Sequence, residues 1–203
     1  LFNYTRRASS VAHIGAIDLG GDNPIRIQSM TTTNTNDTEA CVRQAEEIIK
    51  AGGELVRFTT QGSREAENMK NINAGIRADG YQTPLVADVH FNPNVADVAA
   101  LYCEKVRVNP GNYVDPARKF IKQEYTDEEY AHELQKIEDR FVPFLNICKE
   151  NHTAIRIGVN HGSLSDRIRN RYGDTPEGIV ESCLEFLRIC KKENFHDVVI
   201  SIK

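Results

Sequence analysis

No apolar run in this 203-residue chain approaches the roughly 18 residues needed to cross a bilayer, and no cleavable signal pattern opens it, so the expected setting is soluble and intracellular. An excess of basic charge is also missing. Lys and Arg number 25 against 29 Asp and Glu, a formal net charge of −4, which excludes the broad positive field that drives nucleic-acid binding. Any cation must therefore act locally. The chain has no CxxC pair: Cys41, Cys103, Cys148, Cys183 and Cys190 are odd in number, widely spaced and set mostly in helical patterns. They read as buried reduced thiols, and no metal or cluster site is expected from this chain alone. What it does contain is 40% hydrophobic residues, enough to build the core of one domain of moderate size.

Strand-like and helix-like segments alternate along the chain. After an N-terminal arm, His13 to Met30 reads as two extended runs around the turn Gly20-Gly21-Asp22-Asn23-Pro24, and the run Ile25 to Met30 is the first candidate barrel strand. Asn36 or Asp37 offers an N-cap for a helix to about Ala51, which Gly52-Gly53 closes. Strands follow at 55–59, 84–89, 105–109, 154–159 and 197–203, with helices at about 63–79, 94–102 and 176–193. The connection 112–153 is unusually long, acidic and aromatic, with helical periodicity in its second half. It reads as an insertion before a crossover helix, and its stretch 124–139 as a solvated helical face. About six strands alternating with helices imply a parallel sheet with right-handed crossovers. The expected fold is α/β, the N-terminal part of a TIM-type (β/α)8 barrel, with the remaining units downstream. The last run, DVVISIK, stops inside a strand, which points to a longer parent chain.

Five of these strands carry polar or charged residues near their C-terminal ends: Arg57, Asp88, Arg107, Arg156 and Lys203. Strands buried on both faces should be nearly unbroken apolar runs, so the recurrence needs a cause. Side chains alternate faces along a strand, which groups Arg107 with Asn109, Arg156 with Gly158 and Asn160, and Asp88 with His90. In a barrel, strand-end groups assemble the site at one face, so Arg57, Arg107, Arg156 and Lys203 should converge. Four cations in a confined space are unfavourable without anions, and one Asp88 is too little. A diphosphate, or two phosphates, fits best, because guanidinium forks bind two oxygens at once. Asn109 and Asn160 would add neutral hydrogen bonds. Taken singly, each Arg also fits a structural ion pair, and His90 and His161 fit hydrogen-bonded loop-entry residues as well as proton-transfer groups. For Asn109-Pro110-Gly111-Asn112 and His161-Gly162-Ser163, a simple turn and a set of backbone donors lining the site both stand.

The motifs RIQSMTTT, LVRFT, PLVADVHF, KVRVNPGN, IRIGVNHGSLSDRI and the terminal SIK, in this order and over nearly the whole chain, resemble the N-terminal barrel of the 4-hydroxy-3-methylbut-2-enyl diphosphate synthase family. The long connection and NHGSLSDRI are similar to its larger, three-domain branch. The resemblance implies an oxidoreductase of isoprenoid precursor biosynthesis that reductively opens 2-C-methyl-D-erythritol 2,4-cyclodiphosphate. It implies diphosphate-binding roles for Arg57, Arg107, Arg156 and Lys203, and polar substrate contacts for Asp88, Asn109 and Asn160. It also implies a [4Fe–4S] cluster held by a later domain whose ligands this chain lacks, ferredoxin or flavodoxin as electron donor, and a site that closes within one chain or across a homodimer. No catalytic residue is assignable in this part, which alone is expected to be inactive. The cytoplasm is the expected location, or the plastid stroma in a plant. Two other classes compete. One is a barrel similar to pterin-dependent synthases or to a Schiff-base aldolase, with Lys203 as nucleophile; the other is a non-catalytic phosphate-binding module.

Overall fold

The alternating pattern folds as a curled parallel sheet backed by helices in the computed structural model, which describes residues 5, 7–116, 119 and 124–203. An antiparallel hairpin comes first, β1 (Val11–Ile14) and β2 (Ile17–Gly20). Then come β3 (Gln28–Met30), α1 (Thr38–Lys50), β4 (Leu55–Thr60), α2 (Ser63–Ala78), β5 (Leu85–Val89), α3 (Pro93–Ala100), β6 (Lys105–Val108), α4 (Asp127–Asn151), β7 (Ala154–Val159), α5 (Asp166–Tyr172), α6 (Pro176–Lys192) and β8 (Val198–Ile202). Strands β3 to β8 pair in sequence order, all parallel. Consecutive parallel neighbours joined by helices are the geometry of an open half-barrel.

Local chemistry sets the helix ends. Asp37 accepts a hydrogen bond from the Ala40 amide at the start of α1. At its far end the Gly52 amide bonds to Ile49 O and the Gly53 amide to Ile48 O, both at 2.9 Å, while Gly52 takes φ +99°. This is a Schellman closure that needs a residue free of the Cβ penalty. Thr126 and Glu129 form a reciprocal capping box for the 25-residue α4.

The outer face of the sheet meets the helices in one continuous core that includes Val56, Phe58, Ala87, Val106, Ile155 and Ile157 from the strands and Met69, Ile72, Phe141, Phe144 and Phe186 from the helices. The inner face is different. Its lower end is closed by a small apolar layer of Ile14, Leu55, Val86 and Ala154, with Ile17, Leu19 and Val199 against it. The hairpin thus plugs the bottom of the half-barrel, and above that plug the inner face carries Arg57, Asp88, Lys105, Arg107 and Arg156.

Two expectations need correction. The run read as one extended segment from His13 is a hairpin that turns at Gly15, whose φ is +53°; the tight turn needs a left-handed residue, and Gly supplies it without strain. The first barrel strand is only Gln28–Met30, because Ile25 and Ile27 do not join the ladder and stand 79% and 60% exposed. The extra length of the long connection lies in residues 113–126, ahead of the crossover helix α4, and part of it falls outside the described residues.

Among the described residues both outer strands present an unpaired edge, with Ile200 and Ile202 exposed on β8 and Ile25 and Ile27 exposed ahead of β3. Such edges template association with other strands. The chain on its own is expected to self-associate, so its weight-average mass in sedimentation runs should rise with concentration. A constant monomer mass would show that the edges are covered in solution.

Candidate functional site

The two-residue alternation delivers the strand-end groups to the inner face as expected. Arg57, Arg107, Arg156 and Lys203 line one cavity of about 300 Å³ at the C-terminal ends of the strands, together with His90, Asn109, Asn160, Ser163 and Ser201. Beneath its rim lies Asp88, completely buried. One of its carboxylate oxygens accepts from Arg107 Nη1 at 3.1 Å, and the other pairs with the Arg57 guanidinium. A single carboxylate is thus shared by two arginines, and His90 Nε2 stands 3.8 Å from it.

The other cations have no such partner. Arg156 donates to the neutral hydroxyl of Ser201 at 2.7 Å and has no carboxylate partner among the described residues. Burial is the main cause lowering its pKa, followed by the nearby Arg57 and Arg107 charges. Arg107 is lowered by burial too, opposed by Asp88. Arg57 Nε is buried with no hydrogen-bond partner. Lys203 stands exposed at the rim, where its backbone amide bonds to Val159 O.

One inward-facing cation was missed from sequence. Lys105 on β6 is only 2% exposed, and its ammonium reaches across the inner face to Gln28 Oε1 on β3 at 3.3 Å. The signal was available, since Lys105 precedes Arg107 by two residues and must share its face. Five cations therefore point into the half-barrel against one carboxylate among the described residues. Buried charge in that imbalance is unfavourable in the empty protein and favours an anionic ligand with several oxygens.

The two asparagines line the cavity and also hold the turns that follow their strands. Asn109 is buried, accepts from the Gly111 amide at 3.2 Å and donates to Ser163 Oγ at 2.8 Å. Asn160 accepts from the Gly162 amide at 2.9 Å and lines the cavity. Each thus caps a short 3-10 turn, Pro110–Asn112 and His161–Ser163. The two turns touch: a Cβ on Gly111 would lie 1.8 Å from Ser163 O. His90 lines the cavity, whereas His161 pairs with Asp174 on the surface.

Gly158 leaves room for the arginine ring. Arg107 Nη2 donates to its carbonyl at 2.9 Å, and an added Cβ would lie 2.4 Å from Arg107 Nε. Gly158→Ala is expected to push that guanidinium away from Asp88 and weaken anion binding about tenfold, the value of one charge-assisted hydrogen bond, with the fold intact by circular dichroism. Unchanged affinity in calorimetry would show that Arg107 does not hold the ligand from this position.

The cysteines do not fit a cluster. Among the described residues no three His, Cys, Asp or Glu side chains lie close enough to hold a metal ion, and all five cysteines are buried thiols. Burial pushes Cys183 up to about 11 and Cys190 to about 12, away from the thiolate form that ligates iron.

A half-barrel with its strand-end cations gathered around a cavity defines an α/β barrel with a cationic mouth. The comparisons are more specific. Residues 9–203 match the model of the GcpE TIM-barrel domain, and the chain belongs to that family. It is 77% identical over 203 residues to the 4-hydroxy-3-methylbut-2-en-1-yl diphosphate synthase (flavodoxin) of Phocaeicola vulgatus, covering 100% of this chain and 33% of that protein. To the enzyme of the same name from Akkermansia muciniphila it is 50% identical over 202 residues, again 100% of this chain and 34% of the relative. The chain thus spans about a third of the length of the curated relatives it matches. Among solved structures, a truncated 3-deoxy-D-arabino-heptulosonate 7-phosphate synthase from Thermotoga maritima shares the fold, with a TM-score of 0.55 and 9% identity over 95% of this chain and 56% of that one.

Proposed function

We propose that this chain is the substrate-gripping barrel of an enzyme that reductively opens 2-C-methyl-D-erythritol 2,4-cyclodiphosphate to 4-hydroxy-3-methylbut-2-enyl diphosphate, a step of isoprenoid precursor biosynthesis, with flavodoxin as electron donor. The observation that carries the reading is the charge imbalance of the inner face, where Arg57, Lys105, Arg107, Arg156 and Lys203 meet Asp88 as the one carboxylate among the described residues. The names of the relatives supply the product diphosphate and the donor; the cyclic substrate is what the family resemblance implies.

The chemistry of ring opening suits this arrangement. A cyclic diphosphate carries one ionised oxygen on each phosphorus. Breaking a ring carbon–oxygen bond leaves a further anionic oxygen on the diphosphate, so negative charge grows as the bond breaks. Fixed cations aimed at that oxygen stabilise the transition state more than the substrate. Asp88 holds the Arg57 and Arg107 forks in place, which removes part of the cost of ordering them on binding. Two electrons, protons and the loss of water complete the reaction. An iron–sulfur group supplying those electrons belongs to the part of the protein outside this chain, and no residue here is assigned to it.

The direct test is anaerobic turnover by the full-length protein with reduced flavodoxin, followed by phosphorus NMR. Conversion of the two ring resonances into those of a linear diphosphate is the expected result. A fully cluster-loaded protein that neither binds nor converts the cyclic diphosphate would refute the reading.

A further inference from the structure

Lys105 is poorly explained as a structural residue. Its Cα is in register with Val86 on β5 and Ala154 on β7, two members of the apolar layer over the hairpin plug. Its side chain therefore starts at the top of that layer, below the arginines. The groups that face it are Gln28 from β3, Arg57 from β4, Arg156 from β7 and, one step further along the strands, Asp88 on β5 and Arg107 on its own strand. Asp88 is already occupied by Arg57 and Arg107. Among the described residues the ammonium is left with one neutral amide oxygen at 3.3 Å. A methionine would fill this space without the cost of a buried charge beside like charges.

We propose that Lys105 is a further anion-binding group of this site, forming the floor beneath the arginine ring, and that a diphosphate held above it draws a proton onto its amine. The inference deepens the diphosphate reading and rests on it. In the empty barrel, burial first and then the Arg156 and Arg57 charges lower the Lys105 pKa from 10.5 to about 8. An anion among those arginines offsets their positive charge and so favours the charged form of the amine. By linkage, a ligand that raises the pKa of a group binds together with the proton that group takes up. Lysine suits this place better than arginine, because only the amine changes its charge within the working range.

Titration calorimetry of the full-length protein with 2-C-methyl-D-erythritol 2,4-cyclodiphosphate at pH 8, in buffers of different ionisation enthalpy, tests this. Both phosphorus atoms of that probe carry a single strongly acidic oxygen, so the ligand exchanges no proton there. The wild type is expected to take up about half a proton per site, the fraction a group with a pKa of about 8 lacks at that pH. Lys105→Met should lose this uptake and bind at least about tenfold more weakly. Lys105→Arg, whose guanidinium is already charged, should bind within a few fold of wild type and also take up no proton. That second variant keeps the test sound if the methionine protein does not fold. Absence of uptake in the wild type, or uptake that survives both substitutions, would overturn the proposal. If Lys105→Met binds normally while Arg156→Ala does not, Lys105 is structural and the diphosphate reading stands. If Arg156→Ala also binds normally, the diphosphate reading itself falls.

Discussion

Arg156→Ala in the full-length protein is expected to weaken binding of the cyclic diphosphate by about tenfold to a hundredfold, which corresponds to about 1.5–3 kcal/mol for a hydrogen bond to a charged group. Arg156 is the cleanest of the three arginines to remove. It has no carboxylate partner among the described residues and holds only the Ser201 hydroxyl, so its loss strands no buried charge. Arg57→Ala and Arg107→Ala should cost a similar or larger factor, because each also leaves Asp88 with one cation instead of two. Arg→Lys at any of the three should recover only part of the affinity, since a point charge does not reproduce a two-oxygen fork. Glu128→Ala, an exposed change in the first turn of α4, serves as the control and should bind as the wild type does. Calorimetry with each folded variant measures the series. Unchanged affinity in all three Arg→Ala proteins would make the strand-end cations structural and remove the basis of the site.

The largest effect on stability is expected at Arg167. This residue of α5 is 3% exposed and donates to both oxygens of Asp115, at 3.1 and 2.9 Å, and to both oxygens of Glu185 on α6, at 2.8 and 2.7 Å. Its guanidinium lies 4.9 Å from the ring centroid of Tyr130 on α4, whose hydroxyl donates to Glu185 at 2.8 Å. The cluster ties the loop after β6 to three helices, and so fixes the outer wall of the barrel mouth. Removing the arginine leaves two buried carboxylates without a counter-charge. Arg167→Met should therefore destabilise the barrel by about 3–5 kcal/mol in denaturant unfolding. A loss below about 1 kcal/mol, the range of an exposed ion pair, would show that the cluster is hydrated in solution.

The alternation of strands and helices, most helix limits and the inward side of each strand were legible in the chain itself. The strand at 154–159 and the helix starting at residue 63 coincide with β7 and α2, and the helix expected at about 176–193 with α6, Pro176–Lys192. These features depend on neighbours within a few residues: period-two side-chain placement, capping side chains, and glycines at positions that need a left-handed backbone. The same local rule put Arg57, Arg107 and Arg156 on one face, and applied two residues earlier it would have added Lys105. It failed at the hairpin, because four-residue strands joined by Gly15 read as one longer extended run.

Which of those inward-facing groups are paired was decided by the tertiary structure alone. Sequence places Asp88 near the arginines but not between Arg57 and Arg107, because that depends on how the sheet curls and on the register of β4, β5 and β6, the sum of many distant packing contacts. The same holds for Asn109 and Asn160, whose side-chain oxygens cap their own turns, and for the Asp115–Arg167–Glu185 cluster, whose members sit 52 and 18 residues apart in the chain. The sequence by itself determined which side chains enter the barrel, since a strand's side-chain period is a local property. Folding decided which of their charges remain unmatched, since an ion pair forms only where separate strands bring its partners within reach.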